Sequence, residues 1–368
     1  MRIKALIYLD RFKENINLVK DKIGEKRLIC VPIKADAYGH GALQIAKTSL
    51  ESGAFCFGVA AVSEGVELRK GGIKAPILVF SQSNPDDIPE IIENNLTPFI
   101  SDIEFASILN EEAGLKNAKL SIHIKIDTGM GRMGCSIDEA LQLTHHIMSC
   151  SNLKLEGIAT HLAVSDSNEK EDTEFTKIQI ERFKTVIDKI RAEGIDPGIV
   201  HAANSGAILQ HPESYLDMVR PGLLLYGYNT VNDDSVKPVM ELRSTVVLIK
   251  KIKKGETVSY GRTWTADKDT FIAIISAGYA DGLPRLASNK WQVTINGKTF
   301  PLIGRVSMDQ CCVNLCTDDV KNLPVKRWDE VIIFGALKQD AASLAQIAQT
   351  IPYEITCNIN MRVPRVYI

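Results

Sequence analysis

The chain has 368 residues, enough for two domains, and its 45% hydrophobic and 24% charged residues are typical of a soluble globular protein. Because 43 basic side chains face 45 acidic ones, the formal net charge is −2, and no global basic field favours nucleic acid or a membrane surface. The sequence contains neither a signal peptide nor an apolar run of the roughly 20 residues that span a bilayer, which predicts a cytoplasmic protein.

Short apolar runs alternate with helical periodicity through the first part of the chain. The predicted strands are residues 28–34, 54–60, 76–81, 97–100, 119–127, 153–161, 198–203 and 215–220. Strands that alternate with helices form parallel sheets, and eight of them in about 200 residues predict a (β/α)8 barrel. An open doubly wound sheet is the structural alternative, but no Gly-x-Gly-x-x-Gly turn follows the first strand.

The clearest predicted helix covers residues 171–191. Apolar residues recur along it at helical spacing and are expected on one face: Phe175, Ile178, Phe183, Val186, Ile187 and Ile190. Gly194 is expected to end the helix, because glycine readily adopts the left-handed conformation that follows a last turn.

The pattern changes beyond Pro238. Runs rich in β-forming residues occur at 246–252, 271–276, 291–295, 311–315 and 331–334, separated by turns such as Asn296-Gly297. Only residues 341–350 have helical periodicity. We therefore predict a barrel domain over residues 10–232 and a mostly β domain over residues 233–368, to which residues 1–9 can add a strand.

Reactive side chains follow the predicted barrel strands, where barrel enzymes place their catalytic groups. Lys34 ends the first apolar run, and burial there would lower the pKa of its amine and leave a neutral nucleophile. The alternative is an amine that only reaches the rim of the sheet. The ends of later strands bring further polar groups to the same face: Arg132, His161, Ser205 and Arg220.

The loops after the seventh and eighth strands are the usual phosphate site of such barrels. Ser205 offers a hydroxyl at a predicted helix start, and Gly222 lets backbone N–H groups approach an anion. A lysine for Schiff-base chemistry and a phosphate site in one barrel indicate pyridoxal 5′-phosphate. None of the eight cysteines forms a paired Cys-x-x-Cys motif, and no metal is expected.

Several separated motifs occur in a fixed order. In the barrel domain they are Lys34-Ala35-Asp36-Ala37-Tyr38-Gly39-His40-Gly41, Asp127-Thr128-Gly129-Met130-Gly131-Arg132, Thr160-His161, Asn204-Ser205 and Met218-Val219-Arg220-Pro221-Gly222. In the second domain they are Gly278-Tyr279-Ala280-Asp281-Gly282, Gly304-Arg305-Val306-Ser307-Met308-Asp309-Gln310 and Arg362-Val363-Pro364-Arg365. This set resembles the alanine racemase family over nearly the whole chain. The resemblance implies pyridoxal-phosphate-dependent racemisation of alanine, which supplies D-alanine for peptidoglycan.

The resemblance also implies roles for individual residues. Lys34 matches the lysine that bonds to the cofactor and moves a proton on one face of the substrate Cα. Tyr279 matches the tyrosine that serves the opposite face from the partner subunit of a homodimer. His161 is expected beside Tyr279 and Arg220, where it can help to stabilise a phenolate. Arg220 matches the residue facing the pyridine nitrogen, which an arginine leaves unprotonated.

Other positions match residues that bind the cofactor or the substrate. Arg132 matches a contact to the cofactor's phenolic oxygen and to the substrate carboxylate. Tyr38, Ser205 and the backbone at Gly222 match phosphate contacts. Met308 and Asp309 match substrate-side residues from the other subunit, although Asp309 could instead cap a turn. Lys125 matches a lysine that carries a carbamate in some relatives, and an ordinary strand lysine is the alternative.

One position departs from the family pattern. Members usually carry a tyrosine immediately before the Arg-Val-Pro-Arg run, with its hydroxyl near the cofactor phosphate and its ring lining the path to the substrate. This chain has Met361 there, a flexible thioether without a hydroxyl. We expect a more adaptable pocket, so that serine or a larger amino acid is an alternative substrate.

Two further functions remain as alternatives. An amino-acid decarboxylase of the same two-domain fold would need a different catalytic set in the second domain from residues 278–282. A single-barrel protein that merely carries pyridoxal phosphate on a lysine would need neither the second domain nor Tyr279.

Overall fold

The computed structural model describes residues 2–229, 235–335 and 339–368, and it divides into two compact units. The barrel unit comprises residues 13–37 and 42–236, and the β unit comprises residues 1–12, 38–41 and 237–368. The predicted domain boundary between residues 232 and 233 lies outside the described residues. Strand β1 (Ile3–Ile7) belongs to the β unit.

The barrel unit contains eight parallel strands in the order β8-β7-β6-β5-β4-β3-β2-β9. They are β2 (Leu28–Pro32), β3 (Cys56–Val59), β4 (Ile77–Val79), β5 (Thr97–Ile100), β6 (Leu120–Lys125), β7 (Leu153–Ala159), β8 (Ile199–His201) and β9 (Met218–Val219). Asp217 donates its backbone N–H to the carbonyl of Val200, and Arg220 donates to that of Ala203, which brings β9 beside β8. The predicted (β/α)8 barrel is confirmed.

Helices alternate with the barrel strands, beginning with one that precedes β2. They are α1 (Leu9–Ile23), α2 (Lys34–Gly39), α3 (Ala42–Glu51), α4 (Val62–Lys70), α5 (Ile88–Glu93), α6 (Ile103–Leu115), α7 (Ala140–Ser149), α8 (Lys170–Ala192) and α9 (Ser205–Gln210). Helix α8 confirms the predicted amphipathic segment, and Gly194 follows it with a φ of +76°. Ile178 is 46% exposed, so its assignment to the buried face is wrong. The buried residues of the helix instead include Thr176 and Gln179.

The β unit is built around a long strand, β10 (Met240–Ile252), which pairs with three others. The remaining strands are β11 (Thr257–Val258), β12 (Trp264–Thr265), β13 (Thr270–Ile275), β14 (Gln292–Ile295), β15 (Lys298–Ile303), β16 (Cys311–Asn314), β17 (Glu330–Phe334) and β18 (Arg365–Tyr367). Strand β1 pairs antiparallel with β10 and parallel with β18. The predicted mostly β composition of this part is confirmed.

Two helices complete the β unit, α10 (Ala341–Ala348) and α11 (Pro352–Cys357). The expectation of a single helix there is wrong, because α11 begins at Pro352, a residue that is well tolerated in a first helical turn. Asn296 and Gly297, with φ values of +52° and +74°, form the predicted turn and join β14 to β15. Within the three described ranges, no helix combines the length and apolar character needed to cross a bilayer.

Candidate functional site

The barrel places the predicted reactive residues at the carboxyl ends of neighbouring strands. Strand β2 pairs with β9, so Lys34 and Arg220 follow strands that lie side by side. Ser205 follows β8, His161 follows β7, and Lys125 ends β6. Successive strands β6, β7 and β8 are paired in the same direction. All five side chains therefore belong to one rim of the barrel.

Lys34 does not lie in a strand, and the expectation of a buried strand lysine is wrong. Strand β2 ends at Pro32, and Lys34 is half-buried at the start of α2. The residues after it, which make up the rest of α2, are left-handed, with φ between +51° and +54° from Ala35 to Tyr38. Helix α2 is thus a single left-handed turn. Such a conformation costs about 1–2 kcal/mol for each residue with a Cβ. The turn bends the chain sharply at the end of β2.

Arg220 is a buried cation whose hydrogen-bond partners are neutral. Its Nη2 donates to the carbonyl oxygens of Thr160 and Ala202, at 2.7 and 2.9 Å. Its Nη1 lies 2.7 Å from Nδ1 of His201. Burial lowers the pKa of Arg220 to about 10, so the guanidinium stays positive at neutral pH. These bonds to the described residues use the two terminal nitrogens and leave Nε–H as a donor for a ligand.

A line of two histidines continues from Arg220 into the barrel. Because arginine can only donate, Nδ1 of His201 accepts and its proton resides on Nε2. That Nε2 lies 2.9 Å from Nδ1 of His123, which must therefore accept in turn and carry its own proton on Nε2. Nε2 of His123 lies 4.0 Å from the carboxylate of Glu156. Arg220 thus fixes one tautomer along the whole line.

Both rings of this line are held neutral. Burial and the charge of Arg220 lower the pKa of His123 to about 3 and that of His201 well below its ordinary value. Neither His123 nor His201 is among the site residues predicted from the sequence. Each histidine lies on a short barrel strand, and its neighbours along the strand point to the opposite face. That placement was the sequence signal that could have identified them.

His161 makes the second histidine contact of Arg220. Its Nδ1 lies 3.3 Å from Nη2 of the guanidinium, so it accepts and keeps its proton on Nε2. Burial and Arg220 hold the pKa of His161 well below its ordinary value. The predicted neighbours His161 and Arg220 are in contact, and the imidazole is neutral at physiological pH.

Lys125 is the buried strand lysine of this rim. Its residue is 7% exposed, and its Nζ lies 3.5 Å from the carbonyl oxygen of Ile126. Burial, followed by the charge of Arg220, holds the pKa of Lys125 well below its ordinary value. Lys125 is therefore the buried strand lysine with a lowered pKa that the sequence led us to expect at Lys34.

The loop after β6 is organised by Asp127. Its carboxylate accepts the backbone N–H groups of Gly129, Met130 and Gly131 at 2.8–2.9 Å. The loop carries Arg132, whose side chain is exposed. Folding the loop over one carboxylate presents the guanidinium to solvent at the barrel rim.

A cluster of donors follows β8 and β9. Asn204 caps α9 by accepting from Ala207 N at 3.1 Å. The hydroxyl oxygen of Ser205 accepts from the N–H groups of Gly222 and Leu224, at 2.9 and 3.3 Å. A hydroxyl with two such donors still has its own hydrogen to donate. The cluster therefore leaves the Ser205 hydroxyl hydrogen as a donor for an anionic ligand.

In the β unit, the predicted residue Tyr279 lies on a turn held to a second segment. Tyr279 N donates to Ser307 O and Ala280 N to Met308 O, both at 3.0 Å. The phenol is 43% exposed, and the side chain of Met308 is also exposed. The two segments thus present their side chains from one surface.

Asp281 is the buried anchor of this turn, and its role was not predicted from the motif in which it lies. Its carboxylate accepts from Arg2 Nη2 at 2.7 Å, Arg362 Nε at 2.8 Å and Gly278 N at 2.9 Å. Arg362 also donates to the carboxylate of Asp309 at 2.8 Å. Since Gly278 precedes Tyr279, the buried carboxylate closes the turn that carries the phenol.

The two remaining predicted residues of the β unit differ in burial. Tyr38 is buried, and its ring centroid lies 5.0 Å from that of Tyr353. Met361 is 93% exposed. The side chain that departs from the family pattern is therefore at the surface of this unit.

Comparisons with known proteins agree over the full length. The family model for the alanine racemase N-terminal domain matches residues 7–230, and that for the C-terminal domain matches residues 239–367. The alanine racemase of Treponema denticola is 48% identical, covering 99% of this chain and 98% of that protein. The alanine racemase of Treponema pallidum is 42% identical, covering 99% of each.

Solved structures show the same similarity. The alanine racemase of Clostridium difficile 630 has a TM-score of 0.94 and 36% identity, covering 100% of this chain and 96% of that one. The alanine racemase of Bacillus anthracis with bound L-Ala-P has a TM-score of 0.90 and 32% identity, covering 100% and 95%.

Proposed function

Because the chain belongs to the alanine racemase family, and is thus an amino-acid racemase, we propose that it interconverts L- and D-alanine with pyridoxal 5′-phosphate. The observation that supports this most strongly is the donor set at one rim of the barrel. A half-buried lysine, a buried arginine with neutral partners and a hydroxyl–amide cluster lie after neighbouring strands. The substrate of the Treponema relatives supports alanine.

The residues at this rim fit the cofactor. The hydroxyl hydrogen of Ser205 would donate to its phosphate, which would lie against the backbone at Gly222, with Tyr38 as a further contact. Nε–H of Arg220 would donate to its ring nitrogen. When bound, the cofactor supplies a carbonyl that bonds to an amine and a ring that spreads the negative charge left on Cα.

Arg220 restrains that charge delocalisation. A guanidinium cannot give up its proton at physiological pH, so it leaves an acceptor nitrogen unprotonated. His201 and the carbonyls of Thr160 and Ala202 hold the guanidinium in place. A weaker electron sink favours prompt return of a proton to Cα over side reactions.

Two bases exchange the Cα proton in this proposal. Lys34 takes or returns it on one face, and Tyr279 of the partner subunit does so on the other. The neutral imidazole of His161 accepts from Arg220 and keeps its proton on Nε2, so it would donate a hydrogen bond to the phenolate form of that tyrosine and stabilise it. Arg132, together with Met308 and Asp309 of the partner subunit, would hold the substrate. Lys125 would carry a carbamate that orients Arg132.

The proposal includes a homodimer with shared sites, a cytoplasmic location and supply of D-alanine for peptidoglycan. The sharing of active sites between subunits is tested with mixed dimers, in which one subunit carries Lys34→Ala and the other Tyr279→Phe. If tyrosine acts in the partner's site, one of the two sites in each mixed dimer regains both bases. Mixing the two inactive variants after partial unfolding then restores activity. No restoration would show that both bases come from one chain.

The reaction itself is tested by exchange of the Cα hydrogen in D₂O, with products resolved by chirality. The wild-type protein should incorporate deuterium into L-alanine while forming D-alanine. Lys34→Ala should exchange neither enantiomer, and Tyr279→Phe should exchange only one, with retention. Inversion by Tyr279→Phe at the wild-type rate would contradict the two-base mechanism.

The same assay separates the alternatives. Exchange and inversion mainly with serine or a larger amino acid would keep the chemistry and move the substrate, as Met361 allows. Lysine-bound cofactor without exchange of any amino acid would favour a carrier. Release of carbon dioxide with each turnover would indicate the decarboxylase.

A further inference from the structure

Glu64 is a carboxylate outside the predicted site that joins the ends of two barrel strands. It lies in the first turn of α4, just after β3. Its Oε2 accepts the backbone N–H groups of Ala60 and Ala61, at 2.7 and 3.0 Å. Its Oε1 accepts the N–H group of Ala35, at 2.6 Å. Ala35 is the residue that directly follows Lys34.

Helix capping explains only half of these contacts. A glutamate in a first helical turn commonly reaches back to the N–H of the residue before the helix, as Glu64 does to Ala61. Ala35 is 29 positions away in sequence and contributes nothing to that cap. One oxygen thus serves the helix and the β3 end, and the other holds the end of the neighbouring strand β2.

The bond to Ala35 acts directly on the backbone of Lys34. The N–H of Ala35 shares a rigid peptide plane with the carbonyl of Lys34. Holding that N–H therefore restricts rotation about the Cα–C bond of Lys34. It does so where the left-handed turn begins, with a φ of +51° at Ala35.

Left-handed residues with a Cβ persist only where surrounding contacts determine them. Ala35, Asp36 and Ala37 all carry a Cβ, so no glycine among them lowers the conformational energy of the left-handed turn. Glu64 closes the beginning of the turn, and Asp36 accepts the N–H of Ala42 at 2.7 Å beyond its end. A charge-assisted bond at 2.6 Å is the stronger kind of hydrogen bond.

We propose that Glu64 is a positioning residue for Lys34, which fixes the left-handed turn and thereby the direction in which the lysine amine projects. The inference rests on the proposed function only in taking Lys34 as the reactive lysine. Glu64 touches neither cofactor nor substrate in this role.

The test uses the full-length protein freed of cofactor, with Glu64→Ala, Glu64→Gln and the control Glu139→Ala. Glu139, at the start of α7, accepts from Ser136 N and Oγ at 3.0 and 2.6 Å, three residues back, and within the described ranges it has no bond to a second strand. Two quantities are measured. One is amide hydrogen exchange of a peptide covering residues 33–38, and the other is the rate at which added pyridoxal phosphate modifies Lys34, located by mass spectrometry.

Glu64→Ala should raise exchange in that peptide and slow modification of Lys34, each by about tenfold or more, because a charge-assisted bond is lost. Glu64→Gln keeps one acceptor oxygen and should give smaller changes of the same sign. Glu139→Ala should leave both quantities within about twofold, since it removes a comparable local contact elsewhere.

Unchanged exchange and unchanged Lys34 modification in both Glu64 variants would overturn the proposal. Equal effects from Glu139→Ala would also overturn it, because they would mean a general loss of stability. If Glu64→Ala does not fold, Glu64→Gln decides. Failure of the wild-type Lys34 to react would count against the proposed function alone, since the exchange measurement would still test Glu64.

Discussion

The two units handle a buried charge in opposite ways. In the barrel unit, Arg220 is surrounded by carbonyl oxygens and by the neutral rings of His201 and His161. In the β unit, Asp281 is fully buried and receives two guanidinium groups, those of Arg2 and Arg362. Among the residues that the structure describes, Arg220 has no direct counter-ion, whereas Asp281 is paired with two.

The difference fits the roles that we propose for the Arg220 guanidinium and the Asp281 carboxylate. A carboxylate bonded to Arg220 would occupy its donors and offset the positive charge that a ligand nitrogen meets. Asp281 holds no ligand in our proposal, and its task is to close the turn that carries Tyr279. A buried charge with neutral partners is thus a sign of a functional donor, and a doubly paired one is a sign of scaffolding.

The neutral surroundings of Arg220 predict the largest effect, a loss of stability in mild acid. Above pH 6.5 the three histidines are uncharged in both the folded and the unfolded chain. Below it the unfolded chain binds protons that the folded chain does not, down to about pH 3 for His123. The free energy of unfolding should fall by about 1.4 kcal/mol per pH unit for each of His123, His161 and His201.

Urea unfolding at a series of pH values measures this slope. His123→Gln should reduce it by the contribution of one proton. The control is His145→Gln, which removes a half-exposed ring on α7. A pH-independent free energy of unfolding between pH 6 and 4 would show that the rings are not kept neutral.

The paired charge predicts the next effect. Asp281→Ala removes the acceptor for two arginines and for Gly278 N, and should cost about 2–4 kcal/mol of unfolding free energy. The arginines are partly exposed and regain water, which limits the loss. Asp309→Asn, at a half-exposed carboxylate, should cost less than about 1 kcal/mol. Equal losses from the two variants would contradict the scaffold role.

The third prediction concerns Lys125, a buried amine near Arg220. It is tested by carbamate formation, and only a small change in the free energy of unfolding is expected. A neutral amine can add to carbon dioxide, forming an N–C bond and releasing one proton, and the resulting carbamate would place a negative charge among Arg132 and Arg220. Protein equilibrated with ¹³C-labelled carbon dioxide should show one carbamate signal by NMR. Lys125→Met should abolish it and change the unfolding free energy by less than about 1.5 kcal/mol, because the two side chains have similar volumes.

The exposed Lys119, one residue before β6, gives the matched control. Lys119→Met should keep the carbamate signal. A signal that survives in Lys125→Met would assign the carbamate to another amine and leave Lys125 as an ordinary strand lysine.

Met361 predicts the smallest change in stability. Because the side chain is 93% exposed, Met361→Tyr should alter the unfolding free energy by no more than about 0.5 kcal/mol. We expect it to shift the ranking of L-alanine, L-serine and larger amino acids in the Cα-exchange assay. An unchanged ranking would mean that the pocket-specificity hypothesis is wrong.

Most of the fold could be predicted from the spacing of apolar residues along the chain. The alternation of apolar runs and amphipathic segments predicts all eight barrel strands, and the observed strands lie within the predicted ranges. Strand ends were harder to predict. The apolar run before Lys34 extends to Ile33, yet β2 stops at Pro32, because the left-handed turn begins where no glycine marks it. Helix α11, which begins at Pro352, was not predicted because six residues are too few to show a helical repeat of apolar side chains.

The contacts within the candidate site were less accessible. Arg2 and Asp281 are 279 positions apart, and Arg220 and His201 approach only because β8 and β9 close the barrel. Burial reversed the expectation for two lysines. Lys34 is half-buried outside a strand, whereas Lys125 is the lysine whose pKa burial lowers.

The sequence by itself determined the two-part architecture, the family and the residue types that follow each barrel strand. Those properties depend on local patterning and on motif order, both of which are readable along the chain. Only the tertiary structure decided which lysine is buried, which tautomers the histidines adopt and how Asp281 and Glu64 hold the turns beside Tyr279 and Lys34. Burial and charge pairing join residues from separate strands and loops, and their energies exist only once the chain has folded.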